Sequence, residues 1–266
     1  MKKAGVVAAL LVLSSLQGCG GSSLVNTTAL TPEQADAGGA GSAFASSEGS
    51  KAEERFNPFA DPNERSTGGR EVLADPTFAD VMKTGPLPEM SFGRADAPVT
   101  IIEYASLTCP HCRHFHMTTY PAFRKEFIDT GKVRYILREF PIGKTSGAAT
   151  IALRCAPPDK YLTLFGKFME QQPSWVSQEV RLDPIFKVAS QVGMTRAQFD
   201  ACRENQAMIE GLKWVKDRGR TLGVIGTPNF FVGNKLVKKE LSIEDIRAMV
   251  GPLVAARATA SADTPR

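Results

Sequence analysis

Long apolar runs are missing from this chain. The stretch from Gly5 to Leu16 is only about a dozen residues, too short to cross a bilayer as a helix. Basic runs of roughly five to eight residues are missing too, although the formal charge is +4, so a nucleic-acid patch is a poor expectation. Only one Cys-x-x-Cys is present, Cys109-Pro110-His111-Cys112, so a structural zinc centre lacks its second pair. Histidine is scarce: His111, His114 and His116 are all there is. What is present is ordinary for a soluble domain. Apolar residues make 42% and charged residues 23%, which excludes a collagen-like, fully disordered or polytopic membrane chain. A length of 266 residues suits one large domain or two small ones.

The amino terminus reads as an export signal over residues 1–18. Lys2 and Lys3 form a positive start, and Gly5 to Leu16 forms the apolar centre. Leu16-Gln17-Gly18-Cys19 resembles a bacterial lipobox, in which Cys19 carries lipid and begins the mature chain; Gln17 departs from the usual small or apolar residue. The other reading is an ordinary cleaved signal with an incidental Cys19. Either sends the chain out of the cytoplasm, to the periplasm and into disulfide-permissive surroundings. With Cys19 lipidated, four of the five cysteines remain: Cys109, Cys112, Cys155 and Cys202.

Residues 19–70, rich in Gly, Ser, Ala, Asn and Glu and without apolar periodicity, read as a disordered linker. A folded domain is expected over 71–255 and a frayed tail over 256–266. Val72 to Met82 reads as a short helix, with Asp75-Pro76 opening its second half. Val99 to Ala105 reads as a buried strand. After the cysteine motif comes a helical stripe of Phe115, Thr119, Ala122, Phe123 and Phe127, with a kink expected at Pro121. Lys132 to Phe140 is a second strand. A helical block covers about 143–222, including Thr195 to Arg220 with Thr195 and Gln198 as a capping box. Asn229 to Val232, a Gly233-Asn234 turn and Lys235 to Val237 form a hairpin, and Ser242 caps a last helix. The order implies a mixed α/β sheet with a helical insertion.

The chemistry centres on Cys109 to Cys112. At a strand-to-helix junction the first thiol meets free backbone N–H groups and the positive end of the helix dipole, which favour a thiolate. Pro110 fits the first helical position, where its missing N–H costs nothing. His111 can add charge or a hydrogen bond beside the sulfur. Cys109 is therefore the expected nucleophile and Cys112 the resolving thiol of a redox-active disulfide. The competing reading, a zinc or copper site, uses Cys109, Cys112 and His116 on one helix face. For His114 and His116 a plain polar helix face is preferred.

These residues resemble the DsbA-type thiol:disulfide oxidoreductases of the thioredoxin superfamily, over about Leu87 to Val250. Four features carry the resemblance: the Cys109-Pro110-His111-Cys112 motif, Glu103 six residues before it, the long helical insertion, and Gly226-Thr227-Pro228 before Phe230. The resemblance implies a thioredoxin-like fold and a cis peptide at Thr227-Pro228. The Thr227 backbone would pair with an extended substrate segment. It also implies a buried Glu103, which shares its face with Val99, Ile101 and Ala105. Such a carboxylate is expected to have a raised pKa and to exchange protons with Cys112. In an oxidising compartment Cys155 and Cys202 are expected as a structural disulfide, worth about 4 kcal/mol in the chain-entropy model; two buried thiols or a regulatory pair are the alternatives. No cofactor or metal is expected. The implied partners are exported cysteine-containing proteins and a DsbB-like membrane oxidase, with a monomer held at the membrane by its lipid. An isomerase or reductase on the same fold, or a Cys/His metal-binding chaperone, are the alternative functions.

Overall fold

The computed structural model describes residues 72–262. The export segment 1–18, Cys19 and the linker 19–70 lie outside the described residues. The first helix, α1 (Phe78–Met82), is shorter than the expected Val72 to Met82, because Thr77 takes the N-cap with a capping box to Asp80. A short strand the pattern gave no hint of, β1 (Met90–Phe92), comes next.

Two parallel strands form the centre: β2 (Val99–Ala105) and β3 (Val133–Glu139). Between them runs the helical stretch that begins with α2 (Pro110–His114) and continues through α3 (Tyr120–Phe123). Two π-helical turns, Phe115–Thr119 and Arg124–Ile128, interrupt it. Pro121, which has no N–H to give, lies between these two turns, in the first turn of α3.

The helical block is α4 (Gly143–Arg154), α5 (Pro158–Glu170), α6 (Gln172–Trp175), α7 (Leu182–Ala189), α8 (Arg196–Arg203) and α9 (Gln206–Thr221). The stretch from Thr195 to Arg220 is two helices rather than one. Asn205 breaks it and caps α9, accepting from the Met208 N–H at 3.0 Å, because Asn competes for backbone donors better than it extends a helix. Thr195 caps α8 with Gln198.

The chain ends with β4 (Asn229–Val232), β5 (Lys235–Val237) and α10 (Ile243–Ala262). Ser242 caps α10 and trades hydrogen bonds with Asp245. The backbone of α10 stays helical to Ala262, so residues 256–262 differ from the frayed tail the composition suggests. The five strands form one mixed sheet in the order β1-β3-β2-β4-β5, with β1, β4 and β5 antiparallel to their neighbours.

Strand alternation splits the core in two. Ile101, Ala105, Tyr135, Leu137, Phe230 and Val232 face a large apolar cluster that includes Cys112, Phe115 and much of the helical block. Ile102, Tyr104, Ile136 and Phe231 face a smaller cluster on the other side. There α9 approaches so closely that a Cβ at Gly219 would lie 2.7 Å from the Tyr104 ring. Among the described residues no helix is long and apolar enough to cross a membrane.

Candidate active site

The loop after β2 delivers Cys109 to the first turn of α2. Cys109 is the N-cap, in extended geometry, and Pro110 occupies the first turn. Its sulfur accepts from the Cys112 backbone N–H at 3.4 Å. Its thiol donates to the Thr227 carbonyl at 3.2 Å. Thr227 reaches it because the Thr227-Pro228 peptide is cis and β4 sits beside β2. Cys109 and Cys112 are both free cysteines here.

The two thiols sit in opposite environments. Hydrogen bonds from the Cys112 side chain, then from the Thr227 side chain and the backbone of Cys112 and His111, outweigh burial and bring the Cys109 pKa down to about 6. Cys112 is fully buried. Burial first, then its bond with Cys109 and the charge of Glu103, hold its pKa well above the usual thiol value.

Glu103 lies at the centre of β2 with no exposed surface. Tyr135 from β3 donates to its Oε2 at 2.5 Å, and His116 Nε2 lies 3.0 Å from Oε2 and 3.2 Å from Oε1. His116 is therefore not on a polar helix face: it is buried, with its ring against Phe115, Tyr120 and Phe165. Its place in the first π-helical turn turns it inward. An aromatic residue of mixed polarity reads as surface or core with equal ease until its partner is known. The partner, Glu103, is 13 positions away in the chain.

His111 does not stand over the sulfur. Its ring is exposed, with Nδ1 3.1 Å from Glu240 Oε2, and it serves Cys109 through its backbone N–H. His114 reaches the same Glu240 carboxylate. The three histidines thus pair with carboxylates, two with Glu240 and one with Glu103.

Two further residues escaped the sequence pattern. Gln172, from α6, donates through one Nε2 to the Leu107 carbonyl at 2.7 Å and the Cys109 carbonyl at 3.0 Å, pinning the loop before α2 to the helical block. Ser146 of α4 lies 2.8 Å, Oγ to Oγ, from Ser106 on that loop. Neither has a local motif, because each acts on backbone or a hydroxyl far away in sequence. Away from this centre, Cys155 and Cys202 are joined as a disulfide between the end of α4 and α8.

The sheet order, the helix that starts at a Cys-x-x-Cys and the cis-proline opposite it define a thioredoxin-type protein with a dithiol site and a helical insertion. A family model described as Thioredoxin matches residues 87–251, and the chain belongs to that family. It is 29% identical over 164 residues to a Rickettsia typhi protein named as a protein-disulfide oxidoreductase, covering 61% of this chain and 60% of that one. The chain therefore spans about three fifths of the length of that relative. It is 25% identical over 165 residues to disulfide bond formation protein D of Bacillus subtilis, covering 59% of this chain and 73% of the other. In fold it is similar to alpha-DsbA1 of Wolbachia pipientis, with a TM-score of 0.62 at 23% identity over 68% of this chain and 98% of that one. BdbD of Bacillus subtilis gives 0.57 at 22% identity, over 70% and 100%.

Proposed function

We propose that this protein is an exported thiol:disulfide oxidoreductase that introduces disulfides into other exported proteins. The observation that carries the reading is the pairing of a low-pKa, partly exposed Cys109 with a buried, high-pKa Cys112 across one helical turn. In the oxidised form, a substrate thiolate attacks Cys109 Sγ. The Cys109–Cys112 bond breaks, and its electron pair leaves on Cys112, which takes up a proton. A second substrate thiolate attacks the substrate sulfur of the mixed disulfide and releases Cys109 as a thiolate. The substrate loses two electrons and the protein gains them. Attack falls on Cys109 because Cys112 is inaccessible, and because the thiol with the lower pKa is the better leaving group when substrate is released.

The thiolate preference makes the dithiol form comfortable and the disulfide oxidising. At pH 7 a pKa of about 6 raises the potential by up to about 30 mV over an unperturbed thiol, less what solvent screens at a half-buried sulfur. Thr227 and Pro228 supply the backbone edge for an extended substrate segment beside the sulfur. The reading extends to a periplasmic location, a lipid at Cys19 that keeps a monomer near the membrane, and reoxidation by a DsbB-like membrane oxidase. The export signal and lipobox in the sequence support those parts. The test is oxidative refolding of reduced ribonuclease by the oxidised protein, with the Cys109–Cys112 potential measured in graded glutathione buffers. Stoichiometric formation of ribonuclease disulfides and a potential above the glutathione couple are expected. A potential near the thioredoxin end would make it a reductase or isomerase instead.

A further inference from the structure

A buried imidazole beside a buried carboxylate is a costly way to fill space. An apolar side chain at position 116 would pack against Phe115, Tyr120 and Phe165 without desolvating a polar ring. The pair sits where a proton is exchanged. By strand alternation Glu103 falls between Ile101 and Ala105, which face the cluster that holds Cys112 and Phe115. Cys112 and His116 lie four positions apart on one continuous helical run, which puts them on one side of it. His116 retains a sliver of exposure, 8%, while Glu103 and Cys112 have none.

We propose that His116 is a positioning residue for the Cys112 step: it orients the Glu103 carboxylate and shares the proton that Glu103 exchanges with Cys112. This rests on the oxidoreductase reading above. When substrate opens the Cys109–Cys112 bond, the electron pair goes to Cys112 Sγ, and the proton it takes comes from the Glu103–His116 pair. When the bond re-forms, Cys112 S–H returns that proton to the pair. Its thiolate then attacks the Cys109 sulfur of a mixed disulfide and expels the other thiolate. Without a positive or proton-bearing partner, the thiolate would face the charge of Glu103, which already disfavours it. His116 also completes the hydrogen bonding of Glu103, whose other donor is Tyr135. The titratable groups that face this pair are Cys112 and Tyr120 on its own helical run, Tyr135 on β3 and Tyr161 on α5. None of them is a basic side chain, which leaves the His116 imidazole as the base beside Glu103.

The test follows glutathione exchange in the full chain, so it needs no protein substrate. Mixed disulfide at Cys109 is formed with oxidised glutathione, and its resolution by Cys112 is timed by acid quench across pH 5 to 9. His116→Gln keeps an N–H donor but cannot ionise. Resolution at pH 7 is expected to slow about tenfold, equal to about one pH unit of displacement in its profile. The alkylation midpoint of Cys109 should stay where it is. Glu103→Gln combined with His116→Gln should be no slower than Glu103→Gln alone, since one acts through the other. A superimposable profile, or fully additive slowing, overturns the proposal. Should His116→Gln not fold, ring-nitrogen NMR of the unsubstituted protein decides. The His116 titration is expected to differ between dithiol and disulfide forms, and identical titrations overturn the proposal. Failure of ribonuclease refolding alone would strike the oxidoreductase reading and leave these measurements intact.

Discussion

Cys109 and Cys112 are separated by two residues, yet their acidities are pushed in opposite directions from that of an ordinary thiol. The cause is local: Cys109 collects hydrogen bonds at the mouth of a helix, while Cys112 is dry and faces the charge of Glu103. Alkylation of the dithiol form by iodoacetamide should therefore modify Cys109 alone, with a rate that rises with pH to a midpoint near 6. A midpoint near 8.5, that of a free thiol, would mean the hydrogen bonds do not act in solution. On the proposed mechanism, Cys112→Ser removes the resolving thiol and leaves the nucleophile in place. Mixed disulfides between Cys109 and exported proteins should then accumulate, seen as reducible adducts on gels, whereas Cys109→Ser should give none. At this scale the sequence was informative where chemistry is local. The motif, the proline at the first helical turn and the acid on an apolar strand face were all readable from neighbours in the chain. His116, Gln172 and Glu240 were not, because each finds its partner through the fold. The partner of Glu240 lies more than a hundred positions away.

At the scale of elements, the pattern of apolar residues gave β2, β3, the hairpin and most helices, since each buries one continuous stripe or alternating face. It missed β1, which is three residues long and exists by pairing with β3. It also merged α8 with α9, because apolar periodicity continues across Asn205 while the backbone does not. What α9 does for the site is indirect. It backs the sheet on the side opposite the cysteines, and Gly219 lets it press against Tyr104, next to Glu103 on β2. Gly219→Ala gains about 1 kcal/mol of helix propensity but drives a methyl into a buried ring, a cost of about 1–3 kcal/mol. The net expectation is a loss of up to about 2 kcal/mol in urea unfolding. A gain in stability would show that α9 can shift outward freely. Gly211 is a second close approach of α9, where a Cβ would meet the Leu87 side chain at 2.4 Å.

Across the whole molecule, the acidity of one sulfur is also a statement about folding. In the dithiol form folding lowers the Cys109 pKa from the ordinary thiol value to about 6. A group whose pKa is lowered in the folded state adds stability that is complete above the unfolded pKa. That stability is lost as pH falls through the folded one. In the disulfide form Cys109 has no proton to lose and this contribution vanishes. The melting temperature of the dithiol form, minus that of the disulfide form, should therefore climb as pH rises from about 5 toward 9. The steepest change is expected above the folded pKa of about 6. Cys112 acts the other way, since its raised pKa means that the unfolded thiol ionises first, but that penalty begins only near pH 9. Exposed ion pairs on the surface, such as Glu126 with Arg247, are common to both redox forms and cancel in the difference. Calorimetric scans of the two forms at matched pH give the difference directly. Curves that run parallel from pH 5 to 8 would mean that the thiolate is not stabilised by the fold. On the proposed function the same curves also measure activity, because whatever stability the dithiol gains over the disulfide would be the driving force for passing the disulfide to a substrate.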